Sequence, residues 1–91
     1  MKQLQPTTQY KKDLKRYLNQ PDKIRELDKV IQELSSTGTV PATYNPHPLS
    51  GQWLGHVECH IKGGFLLIWY DKDEGVIKLS RLGTHSELFG K

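Results

Sequence analysis

The four histidines of this 91-residue chain, His47, His56, His60 and His85, all fall in its back half. Histidine titrates near neutrality, so it can take or give a proton at physiological pH, and it is also a common metal ligand. If residues 54–61 form a strand, alternation puts His56, Glu58 and His60 on one face and Val57, Cys59 and Ile61 on the other. The apolar set would face the core. The polar set would lie on an open sheet face, near His47 in a proline-rich loop and near His85 in the C-terminal segment. Metal binding by His56 and His60, with a third histidine or Glu58, is one chemistry open to this set. Against it, no compact His/Cys ligand motif is present, and strand residues four apart lie ~13 Å apart along the backbone. RNA cleavage is the other. It needs a base for the 2′-hydroxyl proton, an acid for the leaving 5′ oxygen and positive charge near the phosphate, and histidines on a basic domain meet that need. His56 is left as an ordinary packing histidine. Cys59 reads as a small core residue, since nothing on its face would stabilise a thiolate.

The elements that must position these residues give an α+β class. Lys2 to Gln5 form a candidate first strand that stops at Pro6. Thr7 and Thr8 are candidate caps for a helix whose apolar stripe is Tyr10, Leu14, Tyr17 and Leu18, with Lys11, Lys12, Lys15 and Arg16 between them. Pro21 and Asp22 start a second helix with the stripe Ile24, Leu27, Val30, Ile31 and Leu34, ended by Ser35-Ser36-Thr37-Gly38. Residues 39–52 contain Pro41, Pro46, Pro48 and Gly51 and read as an ordered loop. Leu54 to Ile61, Phe65 to Tyr70 and Val76 to Arg81 are three strands with short turn-forming connections, hence an antiparallel meander. The middle strand is apolar on both faces and belongs at the centre, with the helices over one side. Thr84-His85-Ser86-Glu87 has capping-box spacing, so a helical turn covers Thr84 to Phe89.

Composition narrows the function classes. The chain is long enough for one domain, residues 1–91, and too short for two cores. Its 35% hydrophobic residues, two Trp, four Tyr and two Phe suffice to fold without disulfides or a structural metal. The longest apolar run, Phe65 to Tyr70, is far below the ~20 residues that span a bilayer, and no signal region is present, so a soluble cytoplasmic protein is expected. A single cysteine excludes stapled secreted scaffolds and Cys-rich zinc modules. The net charge of +3 is concentrated in residues 1–34, which permits a nucleic-acid partner.

Two motifs are more specific. His47-Pro48-Leu49-Ser50-Gly51-Gln52-Trp53-Leu54-Gly55, followed by Glu58-Cys59-His60, and the terminal Arg81-Leu82-Gly83-Thr84-His85-Ser86-Glu87-Leu88-Phe89-Gly90 resemble the YafQ branch of the RelE/ParE toxin superfamily. The order of elements is similar too, so the resemblance implies a RelE-like fold along essentially the whole chain. It implies a bacterial type II toxin: an endoribonuclease that cuts messenger RNA in the ribosomal A site through the RNA's own 2′-hydroxyl, without metal or cofactor. The implied partners are a cognate antitoxin, the ribosome and its message; operator DNA would be met only through the antitoxin complex, and a membrane not at all.

Carried over by position, the resemblance makes His47, His60 and His85 the catalytic histidines, with Glu58 in place of the family's Asp. His60 and His85 are expected as the principal acid/base pair and His47 as sharing the proton transfer. Phe89 would place a base or the RNA backbone. Arg81 is a candidate for the phosphate charge, since guanidinium suits phosphate, and a strand-surface salt bridge is its alternative reading. Lys11, Lys12, Lys15 and Arg16 could contact ribosomal RNA. One departure stands out: four residues after His60, where the family carries an Asp, this chain has Gly64. A catalytically silent RNA- or protein-binding member is therefore a second reading. A gyrase-directed activity within the same superfold has no use for these histidines.

Overall fold

Local signals account for most of the elements in the computed structural model, which describes residues 1–90. Strand β1 is Gln3–Pro6, helix α1 is Thr8–Lys15 and helix α2 is Pro21–Thr37. Thr7 caps α1, its hydroxyl accepting from the Tyr10 amide at 3.1 Å. Proline in the first turn and Asp22 beside it open α2, and Gly38 closes it at φ +83°, its N–H donating to the Leu34 carbonyl. The first helix is shorter than its stripe. Amides of Arg16 and Tyr17 bond to carbonyls three residues back, Asp13 and Leu14, which tightens the last turn. Tyr17 is thereby carried into the core at 4% exposure, while Leu18, expected on the apolar stripe, stays 64% exposed.

Strands β2 (His47–Pro48), β3 (His56–His60), β4 (Phe65–Asp73) and β5 (Val76–Thr84) precede a terminal helix α3 (His85–Phe89). The sheet runs β1-β5-β4-β3-β2, with β1 parallel to β5 and every other pair antiparallel. The proline-rich segment expected as a loop contributes edge strand β2 between two short 3-10 turns, Ala42–Tyr44 and Gly51–Trp53. A proline is tolerated there because an edge strand leaves one side of its ladder unpaired. Strand β3 starts two residues later than expected, leaving Leu54 in the turn at 78% exposure. Strand β4 runs beyond Tyr70 because Asp71 pairs with Ile77 and Asp73 with Val76, outweighing the polar turn-like composition of 71–73, and β5 runs beyond Arg81 because Leu82, Gly83 and Thr84 pair with Leu67, Leu66 and Phe65. The Thr84/Glu87 capping box forms as expected, with both reciprocal bonds present.

As expected, β4 is central and buried on both faces. Phe65, Leu67 and Trp69 join the main core with Tyr10, Tyr17, Leu27, Val30 and Leu34 of the helical segment and with Cys59, Ile77, Leu79 and Leu82 of the sheet. Leu66 and Ile68 belong to a second, smaller core with Leu88, bordered by Leu49, Trp53 and Phe89. The face expected to be open is therefore partly covered, by the folded-back loop and α3, and Glu58 is buried at 5% exposure.

A bulge fixes where α1 docks. Ile68 pairs with Arg81 but Trp69 pairs with Leu79, so Ser80 is the extra residue on β5. The groups that this irregularity removes from the ladder are met from α1 and its cap. Thr7 donates its hydroxyl to the Ser80 carbonyl at 3.1 Å, and the Leu82 amide donates to Asp13 at 3.0 Å.

Candidate active site

Strand pairing, not sequence proximity, assembles the first group of functional side chains. β2 runs antiparallel to β3 with His47 opposite Glu58, and His60 follows two residues along β3 on Glu58's face. His47 Nε2 lies 3.1 Å and His60 Nε2 3.5 Å from the same oxygen, Glu58 Oε1. The two rings are 5.6 Å apart. Both histidines are roughly half exposed, whereas the carboxylate between them is almost fully covered. Asn45 orients His47: its carbonyl accepts from Nδ1 at 2.9 Å, and at φ +51° it is the sole non-glycine residue with positive φ among those described. A half-exposed imidazole pair held by a buried carboxylate can accept and return a proton at a bound phosphodiester.

His56, the histidine grouped with His60 in the strand argument, lies elsewhere. It packs between Trp53 and Tyr70, at ring distances of 5.2 and 4.8 Å, consistent with a packing role. The 13 Å objection to a metal concerned the pair His56 and His60; it does not apply to His47 and His60, which meet across the β2–β3 ladder.

His85 opens α3 and packs at a tilt against Phe89 one turn on, at 4.8 Å, and Phe89 meets Trp53 at 5.9 Å. His60 and Gly83 pair with Leu66 from opposite sides of β4. Two interstrand steps therefore separate their backbones, about 10 Å, enough for a nucleotide to lie between the β3 and α3 groups. Gly83 is needed for the close approach of α3: a Cβ there would lie 2.8 Å from Glu87 Oε1 and 3.4 Å from Leu88 Cδ2.

Arg81 is engaged. Its Nε donates to Asp13 Oδ2 at 2.8 Å and its Nη2 to Oδ1 at 3.3 Å. Asp13 is fully buried, and its remaining partners are the Leu82 amide and Gln9. Burial by itself would raise the Asp13 carboxyl; the bonds from Arg81, Leu82 and Gln9 outweigh it and hold the group below the usual carboxylate range. The salt-bridge reading of Arg81 thus matches its surroundings, with a buried partner 68 residues away that no local pattern reveals.

Lys11, Lys12, Lys15 and Arg16 are exposed along α1 and the turn after it. Arg16 pairs with Glu87 at 3.5 Å, which brings this basic edge to the helix that carries His85. Tyr17 donates its hydroxyl to Glu87 as well, and the Thr84 amide donates to the same carboxylate at 2.8 Å. These bonds, Tyr17's foremost, hold the Glu87 carboxyl below its ordinary value, while burial and then Glu87 push the Tyr17 phenol up to about 12. Sequence reasoning assigned no site role to Tyr17, Glu87 or Asn45. The capping spacing pointed to Glu87, but nothing local pointed to Tyr17 as its partner. Cys59 is fully buried and its thiol is pushed up to about 12 by that burial, so it offers no nucleophile. No described helix is long and apolar enough to cross a membrane.

Comparisons with known proteins identify the family to which this fold belongs. The family profile described as "Bacterial toxin of type II toxin-antitoxin system, YafQ" matches residues 2–90. The mRNA interferase toxin YafQ of Escherichia coli K12 is 34% identical over 83 residues, covering 90% of this chain and 89% of that protein. Among solved structures, YafQ in the E. coli DinJ–YafQ complex superposes with a TM-score of 0.84 at 28% identity, over 99% of this chain and 100% of that one. A metal-bound toxin from Helicobacter pylori superposes with a TM-score of 0.84 at 34% identity, over 98% of this chain and 100% of that one. Sequence, element order and superposition converge: the chain belongs to the YafQ family of bacterial type II toxin–antitoxin toxins.

Proposed function

We propose that this toxin, a single domain over residues 1–91, is a cytoplasmic endoribonuclease that cleaves messenger RNA in the ribosomal A site. The observation that carries the reading is the pair of half-exposed histidines, His47 and His60, on one buried carboxylate, with His85 and an aromatic side chain across β4. His60 and His85 form the principal acid/base pair: one takes the 2′-hydroxyl proton, the other protonates the departing 5′ oxygen, and a cyclic phosphate results. His47 shares the transfer on the His60 side. Glu58 orients both rings and balances their charge when either is protonated. Phe89 offers a face on which a base can stack.

Arg81 supports the site by fixing Asp13 and β5, since its Nε and Nη2 are already bound. Lys11, Lys12, Lys15 and Arg16 supply the electrostatic contact to ribosomal RNA. Gly64 lies in the β3–β4 turn at φ +79°, so the acid the family carries there has no counterpart, and Glu58 is the remaining carboxylate of the site. The reaction as read uses no metal, although the H. pylori relative is described with metal bound. E. coli YafQ is described in a toxin–antitoxin complex with DinJ; this chain would likewise bind a cognate antitoxin protein, be neutralised by it, and reach operator DNA only within that complex.

Induced expression with primer extension on a translated reporter message tests the reading. Growth arrest with cuts at fixed codon positions, both absent in His60→Ala and His85→Ala, supports it. Arrest without cuts removes messenger RNA as the target. No arrest from a folded wild-type chain leaves a silent binding protein of the same fold.

A further inference from the structure

Helix α3 is five residues long, well short of the about 12–15 that hold a helix on their own. The placing of His85 is therefore decided by what grips this turn from outside. Leu88 is sunk into the second core, and Phe89 rests on Trp53. Those contacts are apolar and set the depth of the turn more than its angle, because apolar attraction has no direction. The Thr84/Glu87 capping box is internal to the segment and travels with it. Directional contacts arrive from the end of α1: the Tyr17 hydroxyl donates to Glu87 Oε1, and Arg16 lies 3.5 Å from Oε2. Arg16 is 53% exposed and water screens its pair, so the bond from Tyr17 carries the grip.

The anchor is rigid at its other end. Tyr17 is buried with its ring 4.6 Å from Phe65, and Phe65 pairs in turn with Thr84, the residue that caps α3. Tyr17, Phe65, Thr84 and Glu87 thus close a ring around the start of the helix, the Thr84 amide donating at 2.8 Å to the oxygen that Tyr17 meets. Successive helical residues are turned by about 100°, which puts Glu87 about 200° from His85, on the opposite side of the turn. Phe89 comes back beside His85. α1 therefore holds one side of α3 while His85 and Phe89 face away from it. A charge-assisted bond on the held side resists rolling of the turn, and roll is the motion that re-aims the imidazole. Core packing at position 17 needs only a phenyl ring; the hydroxyl is there for Glu87.

We propose that Tyr17 and Glu87 are positioning residues for His85: the bond between them fixes the roll of α3 on the sheet and so sets the direction in which His85 presents its imidazole to the RNA. The consequence for proton transfer rests on the proposed function; the placement of the ring does not. Neither residue touches the RNA. Each acts through the helix that carries His85, and the effect falls on that histidine alone, since His47 and His60 are held by β2 and β3.

The test joins heteronuclear spectra of the histidine rings in the full-length, antitoxin-free toxin to single-turnover cleavage of ribosome-bound message. The variants are Tyr17→Phe, Glu87→Ala and Glu87→Gln, with Val30→Ala as a core cavity away from α3 that lowers stability alone. Melting curves establish that each is folded at the assay temperature, and Glu87→Ala keeps the test decisive if Tyr17→Phe is not. In Tyr17→Phe and Glu87→Ala the His85 ring signals should move while those of His47 and His60 stay in place. The saturated cleavage rate should fall by at least about tenfold in both, with the half-saturating toxin concentration within about twofold of wild type. Glu87→Gln keeps an oxygen that accepts from Tyr17 and Thr84, so it should restore both the signals and most of the rate. Val30→Ala should cleave as wild type does. Unmoved His85 signals in folded Tyr17→Phe and Glu87→Ala would overturn the proposal, as would a rate loss matched by Val30→Ala. Moved signals with wild-type cleavage would overturn the role in proton transfer. A wild type that cleaves no message defeats the ribonuclease reading, and the spectra still decide the placement of His85.

Discussion

Replacing Asp13 by Asn separates a structural Arg81 from a phosphate-binding one. The carboxylate is fully buried and accepts from Arg81 Nε at 2.8 Å, Arg81 Nη2 at 3.3 Å, the Leu82 amide at 3.0 Å and Gln9 at 3.1 Å. Asparagine keeps the shape but turns one acceptor into a donor aimed at donors, and it leaves the guanidinium without its counter-charge. Neutralising one partner of a buried ion pair costs about 3–5 kcal/mol. The Arg81 side chain is 22% exposed, so water offsets part of the loss and the low end, about 3 kcal/mol, applies. For a domain of this size each kcal/mol moves Tm by about 4–8 °C, giving a fall of about 12–24 °C in a melt followed by circular dichroism at pH 7. Arg81→Met should fall comparably, since it strands the Asp13 charge. An Asp13→Asn protein melting within about 4 °C of wild type would refute the reasoning. An Arg81→Met protein as stable as wild type yet unable to cleave RNA would return Arg81 to the phosphate.

Further outcomes follow from the same contacts. Gly83→Ala would put a methyl 2.8 Å from Glu87 Oε1, displacing α3; the expected cost is about 1–3 kcal/mol in chemical denaturation, together with lost cleavage as His85 shifts. In acid, the Asp13 and Glu87 carboxyls are held below their unfolded values, so their contribution is complete above about pH 4.5 and disappears as pH falls through the folded values. Melting temperature against pH should drop across that range, and the drop should shrink in Tyr17→Phe, which lacks the largest bond lowering Glu87. At the alkaline end the sign reverses: Tyr17 ionises near 10 when unfolded and about 12 when folded, so its stabilisation is complete below pH 10 and lost by about pH 12. A Tyr17→Phe protein should show a smaller alkaline loss, the remainder belonging to Tyr10 and Cys59, which burial also raises to about 12.

The elements read most securely from sequence were those carrying their own punctuation. Pro21 and Gly38 bracket α2, Thr84 and Glu87 close a box on α3, and the unbroken Phe65 to Tyr70 run is apolar on both faces because two cores meet at β4. Features set by distant partners were not readable. The end of α1 depends on Tyr17 turning into a core that Phe65 completes, at a ring distance of 4.6 Å. Strand β2 is two residues long and exists only because β3 pairs with it. That pairing also selects His47 over His56 as the companion of His60. Alternation along β3 correctly put Glu58 and His60 on one face, but nothing local shows that Glu58 is buried at 5% exposure with His47 of the folded-back loop against it. Arg81 and Asp13 are each unremarkable locally, and only the bulge at Ser80 and the docking of α1 bring them together.

The central claim is that two histidines move protons for an attacking 2′-hydroxyl. It is tested most directly by single-turnover cleavage of a message positioned in the A site of purified ribosomes, comparing wild type, His60→Ala and His85→Ala on all-ribose RNA and on RNA with one 2′-deoxy nucleotide at the cut. The account predicts a cyclic phosphate product from wild type, losses of about 10²–10⁴ in rate for each variant, and no cleavage of the deoxy-substituted message by any of them. Cleavage of the deoxy-substituted message, or wild-type rates from folded His60→Ala and His85→Ala proteins, would contradict it.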